Sequence, residues 1–158
     1  MNTKIETVTE TGLPHTATQV RRLYNPEAYD FNQPHRVKCI ELTDRYTRID
    51  FIYRSPTLYV NGGWIEIDKG AYIQPVDSSV KYGMVAAINI PVAPVKHYFT
   101  RQGEYHVYTL VYGALPKGVS KINIIEKEAP GTYFNFYDVD FANWMTVPHP
   151  TDLPMQNN

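Results

Sequence analysis

The side chains best suited to catalysis are five histidines and a pair of carboxylates late in the chain. His35, His97 or His106 could meet Asp138 or Asp140 in the folded chain and hold a metal ion for a hydrolase. The histidines lack the short spacing that places two metal ligands on one helix or hairpin. The two aspartates lie two residues apart, so they would share one side of a strand. Carboxylates in that position are more often solvated than used in acid–base catalysis. We therefore predict no metal, no cofactor and no catalytic residue.

The sequence also lacks the local motifs of common enzymes. No Gly-x-Ser-x-Gly elbow, phosphate-binding Gly-rich loop or His-Glu-x-x-His motif occurs. Cys39 is the only cysteine, which excludes an intramolecular disulfide and a Cys-x-x-Cys redox pair. It stands in a predicted strand, whereas catalytic thiols occupy electropositive, partly exposed sites. We expect a buried structural thiol in a protein that is not an enzyme.

Tyrosine is the unusual component, because thirteen tyrosines outnumber six phenylalanines. A β-sheet core prefers fully apolar side chains, so some tyrosines must be exposed, and tyrosine is enriched at protein interfaces and sugar-binding surfaces. If Phe134 and Phe136 face the core, their neighbours on the same strand face outward. The candidate binding residues are Tyr133, Asn135, Tyr137, Trp64 and Tyr105. The alternative is that these side chains cover a sheet edge or pack beneath the terminal segments.

Length and charge restrict the class of protein. The chain has 158 residues, of which 43% are hydrophobic and 20% charged, with a net charge of -1. This composition suits one globular domain, and it lacks the basic excess typical of nucleic-acid binding. No window approaches the roughly 18 apolar residues of a membrane-spanning helix, and the N-terminus has no secretory signal. We expect a cytoplasmic protein as written, or an envelope or secreted protein if a signal was removed.

Short stretches rich in Val, Ile, Thr, Tyr and Phe, separated by clusters of Gly, Pro, Asn, Asp and Ser, predict an all-β fold. Twelve prolines argue against long helices. One helical turn is expected at Asn25-Pro26-Glu27, where an asparagine N-cap precedes a proline. The predicted strands are Ile5–Glu10, Thr18–Tyr24, Arg36–Thr43, Tyr46–Arg54, Leu58–Val60, Trp64–Ile67, Ala71–Pro75, Met84–Ile90, Glu104–Tyr112, Ser120–Glu126 and Tyr133–Val139.

The side-chain pattern of two of these strands predicts which side faces the core and which strand is central in the sheet. Ile49, Phe51 and Tyr53 share one side of their strand, which predicts a core-facing side. The strand Glu104–Tyr112 is apolar on both sides, so we expect it to be central. Between Leu58–Val60 and Trp64–Ile67, the residues Asn61-Gly62-Gly63 predict a tight hairpin.

Several stretches of this chain resemble a known family of domains. The stretch Tyr108-Thr-Leu-Val-Tyr-Gly-Ala-Leu-Pro-Lys-Gly-Val-Ser-Lys-Ile-Asn-Ile-Ile-Glu126, followed by Tyr133-Phe-Asn-Phe-Tyr-Asp-Val139, resembles an uncharacterised immunoglobulin-like domain of envelope and secreted proteins from Gram-negative gut and oral bacteria. The stretch 36–43 with 47–51 resembles the first paired strands of that family, and the stretch 64–67 with 71–74 resembles its central hairpin. In that family Asp138 is usually glycine, which suits a bulge or a positive φ.

The resemblance covers residues 36–140 and implies a two-sheet antiparallel immunoglobulin-like β-sandwich. Residues 1–35 are then an N-terminal extended segment with the first strands and the one-turn helix, and residues 141–158 are an extended C-terminal segment. Our leading hypothesis is a non-enzymatic protein-interaction or assembly module, which binds a partner protein or a second copy through its aromatic sheet surface and extended termini. A carbohydrate-binding or small-ligand-binding module, with Trp64 and exposed tyrosines as a stacking platform, is the alternative. A metal-dependent hydrolase is the third hypothesis.

Overall fold

The chain folds into β-strands joined by turns and loops. A computed structural model describes residues 19–146, and this range contains strands and no helix. In chain order the strands are β1 (Arg21–Tyr24), β2 (His35–Leu42), β3 (Tyr46–Arg54), β4 (Trp64–Ile65), β5 (Tyr72–Pro75), β6 (Tyr82–Ile88), β7 (His97–Tyr98), β8 (Tyr105–Gly113), β9 (Lys121–Ile125), β10 (Phe136–Asp140) and β11 (Met145–Thr146).

Most strands belong to one large antiparallel sheet. Nine strands lie in the order β10-β9-β5-β6-β8-β3-β2-β1-β11, while β4 and β7 form a separate two-stranded sheet. Strand β6 joins the two parts of the large sheet, because Tyr82 and Gly83 pair with β5 whereas Met84–Ile88 pair with β8. The large sheet is curled, and side chains from both of its parts meet in one core. The predicted all-β fold is confirmed.

Alternate residues of the central strands build this core. Ile49 and Phe51 of β3 are buried, as predicted. Strand β8 lies between β3 and β6, which confirms its predicted central position. The remaining core side chains of these strands are Tyr108, Leu110 and Tyr112 from β8, Ile73 from β5, and Ile122 and Ile124 from β9. Since apolar side chains from both parts of the sheet leave water together, burial stabilises the curl.

The tight hairpin predicted at Asn61-Gly62-Gly63 is wrong. Gly62 and Gly63 do have positive φ angles of 85° and 73°, as glycines in turns often do. Residues 57–61, however, form bends and turns instead of a strand. Strand β4 pairs with the distant β7, through Trp64 opposite Tyr98. Local turn signals therefore identified the turn but not the strand that pairs with β4.

The predicted helical turn near residue 25 is a series of hydrogen-bonded turns. Asn25 Oδ1 accepts a hydrogen bond from the Glu27 backbone N–H at 3.0 Å, which is the expected capping contact. The backbone N–H groups of Ala28 and Asp30 each donate to the carbonyl three residues earlier, at 3.1 Å. Arg36 Nη1 donates to the Asp30 carbonyl oxygen at 2.9 Å, which holds the last turn on β2.

The described parts of both terminal segments join the large sheet. Strand β1 pairs with β2 on one side and with β11 on the other, and Leu23 of β1 is buried. Residues 1–18 and 147–158 lie outside the described residues, and so do the predicted strand Ile5–Glu10 and most of the predicted C-terminal extended segment.

Asp138 has a left-handed backbone conformation in β10, with φ 53°. Its backbone N–H donates to Asn123 Oδ1 at 2.9 Å, and the pairing of β9 with β10 shifts register between Ile122 and Ile124. The position combines the two features that a glycine would permit, a positive φ and a bulge. Aspartate is one of the few other residues that tolerate this conformation.

Candidate interaction surface

Asn135 lies where it stabilises a loop rather than binds a ligand. Its Oδ1 accepts hydrogen bonds from the backbone N–H groups of Glu126 at 2.9 Å and Lys127 at 3.3 Å. Its Nδ2 donates to the Lys127 carbonyl oxygen at 3.0 Å. Both ends of the amide are therefore engaged within the chain, and Asn135 joins β9 to the segment that precedes β10.

The tyrosines on either side of Asn135 differ in exposure. Tyr133 is half-buried, and Lys127 Nζ lies 5.5 Å from the centre of its ring. Tyr137 is exposed on β10, which is an edge strand of the large sheet. Phe134 and Phe136 pack against the core, as the predicted alternation requires. Only Tyr137 of these three candidates presents most of its side chain to solvent.

Trp64 has an aromatic neighbour that was not among the predicted binding residues. Tyr98 lies directly opposite Trp64 in the two-stranded sheet, and both side chains are exposed. Ile65, the next residue on β4, is buried, so the two rings share the outward face of that sheet. Lys96 Nζ lies 4.5 Å from the Trp64 ring centre and 3.9 Å from Glu66 Oε2. The ammonium group covers part of the ring by a cation–π contact.

Tyr105 is exposed at the start of β8, opposite Arg54 of β3. Its ring meets the exposed ring of Phe31 edge to face, with ring centres 6.4 Å apart. Phe31 in turn lies 5.8 Å from the Arg36 guanidinium carbon. This pair of rings covers one end of the outer side of the large sheet.

The most exposed large apolar side chains lie in the segment that was predicted to be a strand. Leu58 is 80% exposed and Val60 is 88% exposed, with Tyr59 also exposed between them. They were not among the predicted binding residues, because residues 58–60 were expected to be a strand of the hairpin. The available signal was that three apolar residues between Pro56-Thr57 and Asn61-Gly62-Gly63 are short for a buried strand.

Ser55 braces this apolar segment against the loop that leads into β8. Its backbone N–H donates to the Glu104 carbonyl oxygen at 2.9 Å, and its carbonyl accepts from the Gly103 N–H at 3.0 Å. Its hydroxyl donates to the Arg101 carbonyl oxygen at 2.9 Å and accepts from the Glu104 N–H at 2.8 Å. Ser55 is buried, so these bonds form away from solvent. Two neighbouring loops are thereby fixed to each other.

Two further contacts fix the apex of the segment. Gln102 Nε2 donates to the carbonyl oxygens of Thr57 and Tyr59, at 2.9 Å each. At Gly62 the loops approach so closely that a Cβ atom would lie 2.3 Å from the Arg101 carbonyl oxygen. The apolar residues therefore stand on a hydrogen-bonded support rather than on a free loop.

The apex is continuous with the two-stranded sheet. The Tyr59 ring lies against Gly63, whose ideal Cβ position is 2.9 Å from the ring, and the Gly63 carbonyl accepts from the Phe99 N–H at 2.9 Å. Gly63 precedes Trp64, and Phe99 follows Tyr98. We call this surface the tip, and it consists of Leu58, Tyr59, Val60, Trp64 and Tyr98. Of the predicted binding residues the tip includes Trp64, whereas Tyr137 lies on the edge strand β10.

The buried titratable groups have partners that suit a structural role. The His35 ring contacts five aromatic rings, with centres 4.3 to 5.9 Å away. Burial lowers the pKa of His35 to about 3, so the ring is neutral at pH 7. Burial also raises the pKa of Tyr108 well above its ordinary value, so its hydroxyl stays protonated. The Tyr108 hydroxyl and His35 Nε2 form a hydrogen bond of 2.6 Å.

Glu126 and Cys39 are also engaged in the fold. The Glu126 carboxylate accepts from the backbone N–H groups of Asp68 at 2.9 Å and Phe134 at 2.8 Å. Burial raises the pKa of Glu126. The prediction of a buried thiol at Cys39 is confirmed, and burial raises its pKa to about 11. A thiol with this pKa is a poor nucleophile at neutral pH.

The remaining histidines of the described range form a close pair with rings tilted by 32°. The rings of His97 and His106 lie with centres 4.4 Å apart, and His106 Nε2 bonds the Asn89 carbonyl oxygen at 2.6 Å. Within residues 19–146 no group of three or more His, Cys, Asp and Glu side chains is arranged to hold a metal ion. The same residues include no helix that is long and apolar enough to cross a membrane.

Comparison with known proteins gives no further assignment: no family model, curated protein or solved structure matches the chain.

Proposed function

We propose that this chain is a non-enzymatic module that binds a partner protein through the tip. The observation that carries the proposal is the exposure of Leu58 and Val60 on a support that holds them in place. A contiguous exposed apolar patch marks interaction sites, and the tryptophan and tyrosines beside these aliphatic residues are the side-chain types that supply most of the binding energy at interface centres. The remaining polar surface then forms the rim.

The bracing of the tip supports this function on energetic grounds. Ordering a loop on binding costs free energy that reduces affinity. The bonds from Ser55 and Gln102 have already fixed the loop in the free protein. A partner with a complementary apolar pocket gains the burial of Leu58 and Val60 without that cost.

We also propose that the framework is an immunoglobulin-like β-sandwich. The resemblance over residues 36–140 supports this, and so does the core enclosed between the two parts of a curled antiparallel sheet. Domains of this architecture present loops at their ends, which suits a function in binding.

The direct test is a quantitative pull-down from a lysate of the source cells. The double variant Leu58→Ser/Val60→Ser removes the apolar apex, and Val80→Ser, at another exposed valine, is the matched control. We expect a defined set of proteins to bind the unaltered chain and the control but to be lost from the double variant. If the double variant retains the same proteins, the tip is not the binding site and the proposal fails.

A carbohydrate-binding function is the second candidate, because Trp64 and Tyr98 lie side by side on an outward face. Two adjacent exposed rings can stack on sugar rings. A glycan at about 100 times its dissociation constant should stabilise the fold by about 2.7 kcal/mol. We expect such a gain to be lost in Trp64→Ala and kept in Leu58→Ser/Val60→Ser. A glycan library that gives no thermal shift at millimolar concentration counts against this function.

A further inference from the structure

Strand β6 has an unpaired edge although it lies inside the order of the large sheet. Along Met84–Ile88 it pairs with β8 on one side. On the other side it pairs with β5 only at Tyr82 and Gly83, and the last backbone bond there joins the Met84 N–H to the Ala71 carbonyl oxygen at 2.8 Å. In the part of the chain that the structure describes, no strand lies along residues 85–88 on that side. Residues 85–88 of β6 therefore form an unpaired strand edge within the large sheet.

This edge is accessible and carries no charge. It consists of Val85-Ala86-Ala87-Ile88, in which Val85 is 72% exposed and Ile88 is 49% exposed. Ala86 is exposed as well, and the neighbouring Val107 of β8 is exposed on the same sheet. Natural proteins usually protect such edges with charged residues, prolines or cover from another element. Among the described residues, no charged residue, proline or other element protects residues 85–88. The strand is regular from Ala86 to Ile88, between a register shift at Val85 in the pairing with β8 and Asn89, whose φ is 62°.

The outer edge of the sheet at β10 carries charges that the β6 edge lacks. Asp138 and Asp140 place carboxylates along β10, and the positive φ of Asp138 interrupts its regular backbone. If two copies of β10 paired, these carboxylates would come close to one another and repel. Two copies of the uncharged β6 edge meet no such repulsion. Charge thus favours self-pairing at β6 over self-pairing at β10.

We propose that residues 85–88 pair antiparallel with the same residues of a second copy of this chain. A two-fold axis between two antiparallel strands makes the contact self-complementary, with main-chain hydrogen bonds across the axis. The contact extends the sheet from one copy into the other and covers Val85 and Ile88. Because four residues from each copy bury less than a standard interface, the dimer is weak and concentration-dependent. This proposal is independent of the partner bound at the tip.

The test is the solution mass of the full chain by light scattering, from about 1 µM to about 1 mM, which spans weak dissociation constants. We expect the mass to rise from monomer to dimer for the unaltered chain. In Ala86→Lys a lysine on each copy faces the axis, and we expect association to weaken at least about tenfold. Val80→Lys places the same charge at an exposed position outside the edge and should leave the dimer intact.

A second measurement covers the case in which Ala86→Lys disturbs the fold. Amide hydrogen exchange of the unaltered chain at residues 85–88 should slow as its concentration rises, since pairing protects these amides. A monomer throughout the series, or exchange at residues 85–88 that is independent of concentration, overturns the proposal.

The tip variant separates the two proposals. Leu58→Ser/Val60→Ser should keep the dimer while losing partners in the pull-down. If this variant dissociates the dimer and Ala86→Lys does not, the second copy binds at the tip and the β6 edge is not the interface.

Discussion

Two clusters of aromatic and aliphatic side chains in this molecule have similar compositions and different fates. In the core cluster, Phe51 and Tyr108 stack with ring centres 4.9 Å apart, and His35 lies beside both. In the tip, Leu58 and Val60 project into solvent although the chain around them is fixed by hydrogen bonds. The difference teaches that residue type alone does not determine which side chains are buried here. Position in a strand of the large sheet or in a hydrogen-bonded loop determines whether they are buried or exposed.

The largest expected difference between the clusters is in stability, and two leucines measure it with the same substitution. Leu110→Ala removes a buried side chain from β8 and should lower the free energy of unfolding by about 2 to 5 kcal/mol. Leu58→Ala removes an exposed one and should change it by less than about 0.5 kcal/mol. Denaturant unfolding of both variants gives the comparison. Equal losses would mean that Leu58 is a core residue and that the tip is wrongly assigned.

The core cluster should also make stability depend on pH through His35. Its folded pKa of about 3 lies below its ordinary value of 6.5, so the unfolded chain binds a proton that the folded chain excludes. Stability from this group is therefore complete above pH 6.5 and is lost as the pH falls towards 3. Between pH 6.5 and 4.5 we expect a loss of about 2 to 3 kcal/mol.

The control for this prediction is His35→Gln, which has no proton to gain in that range. Unfolding by denaturant at pH 6.5, 5.5 and 4.5 should show a smaller slope for the variant than for the unaltered chain. The slope is the relevant quantity, because the variant also loses packing and therefore starts from a lower stability. Parallel slopes would show that His35 is accessible to protons in the fold.

The rigidity of the tip can be tested at two glycines. Gly62→Ala adds a Cβ at φ 85° that would lie 2.3 Å from the Arg101 carbonyl oxygen, so we expect a loss of about 2 kcal/mol. Gly103 has φ 71° but no atom within 4 Å of its Cβ position, so Gly103→Ala should cost only about 1 kcal/mol. Hydrogen exchange at residues 55–63 should increase for Gly62→Ala. If Gly62→Ala and Gly103→Ala lowered the free energy of unfolding equally, close packing of the two loops at Gly62 would not be the cause of the loss.

The contrast between the clusters also explains what the sequence could predict. Period-two alternation predicted that Ile49 and Phe51 face the core, because burial on one side of a strand imposes that period. The resemblance indicated a bulge or a positive φ at Asp138, because the family usually has glycine at this position. The tip was missed because the pairing of β4 with β7 joins residues more than thirty positions apart, as in Trp64 opposite Tyr98. The open edge of β6 exists because β5 pairs with β6 only at Tyr82 and Gly83. No local sequence pattern predicts where that pairing ends.

The smallest expected effect concerns Tyr137, which was selected from the sequence but lies outside the tip. Its side chain is exposed on β10, so Tyr137→Ala should change the free energy of unfolding by less than about 0.5 kcal/mol. Tyr133→Ala should cost more, about 1 kcal/mol, because the ring of Tyr133 is half-buried and contacts Lys127. In the pull-down, Tyr137→Ala should retain the partners that Leu58→Ser/Val60→Ser loses. Loss of the same partners from Tyr137→Ala would extend the binding surface to β10 and make the tip only a part of it.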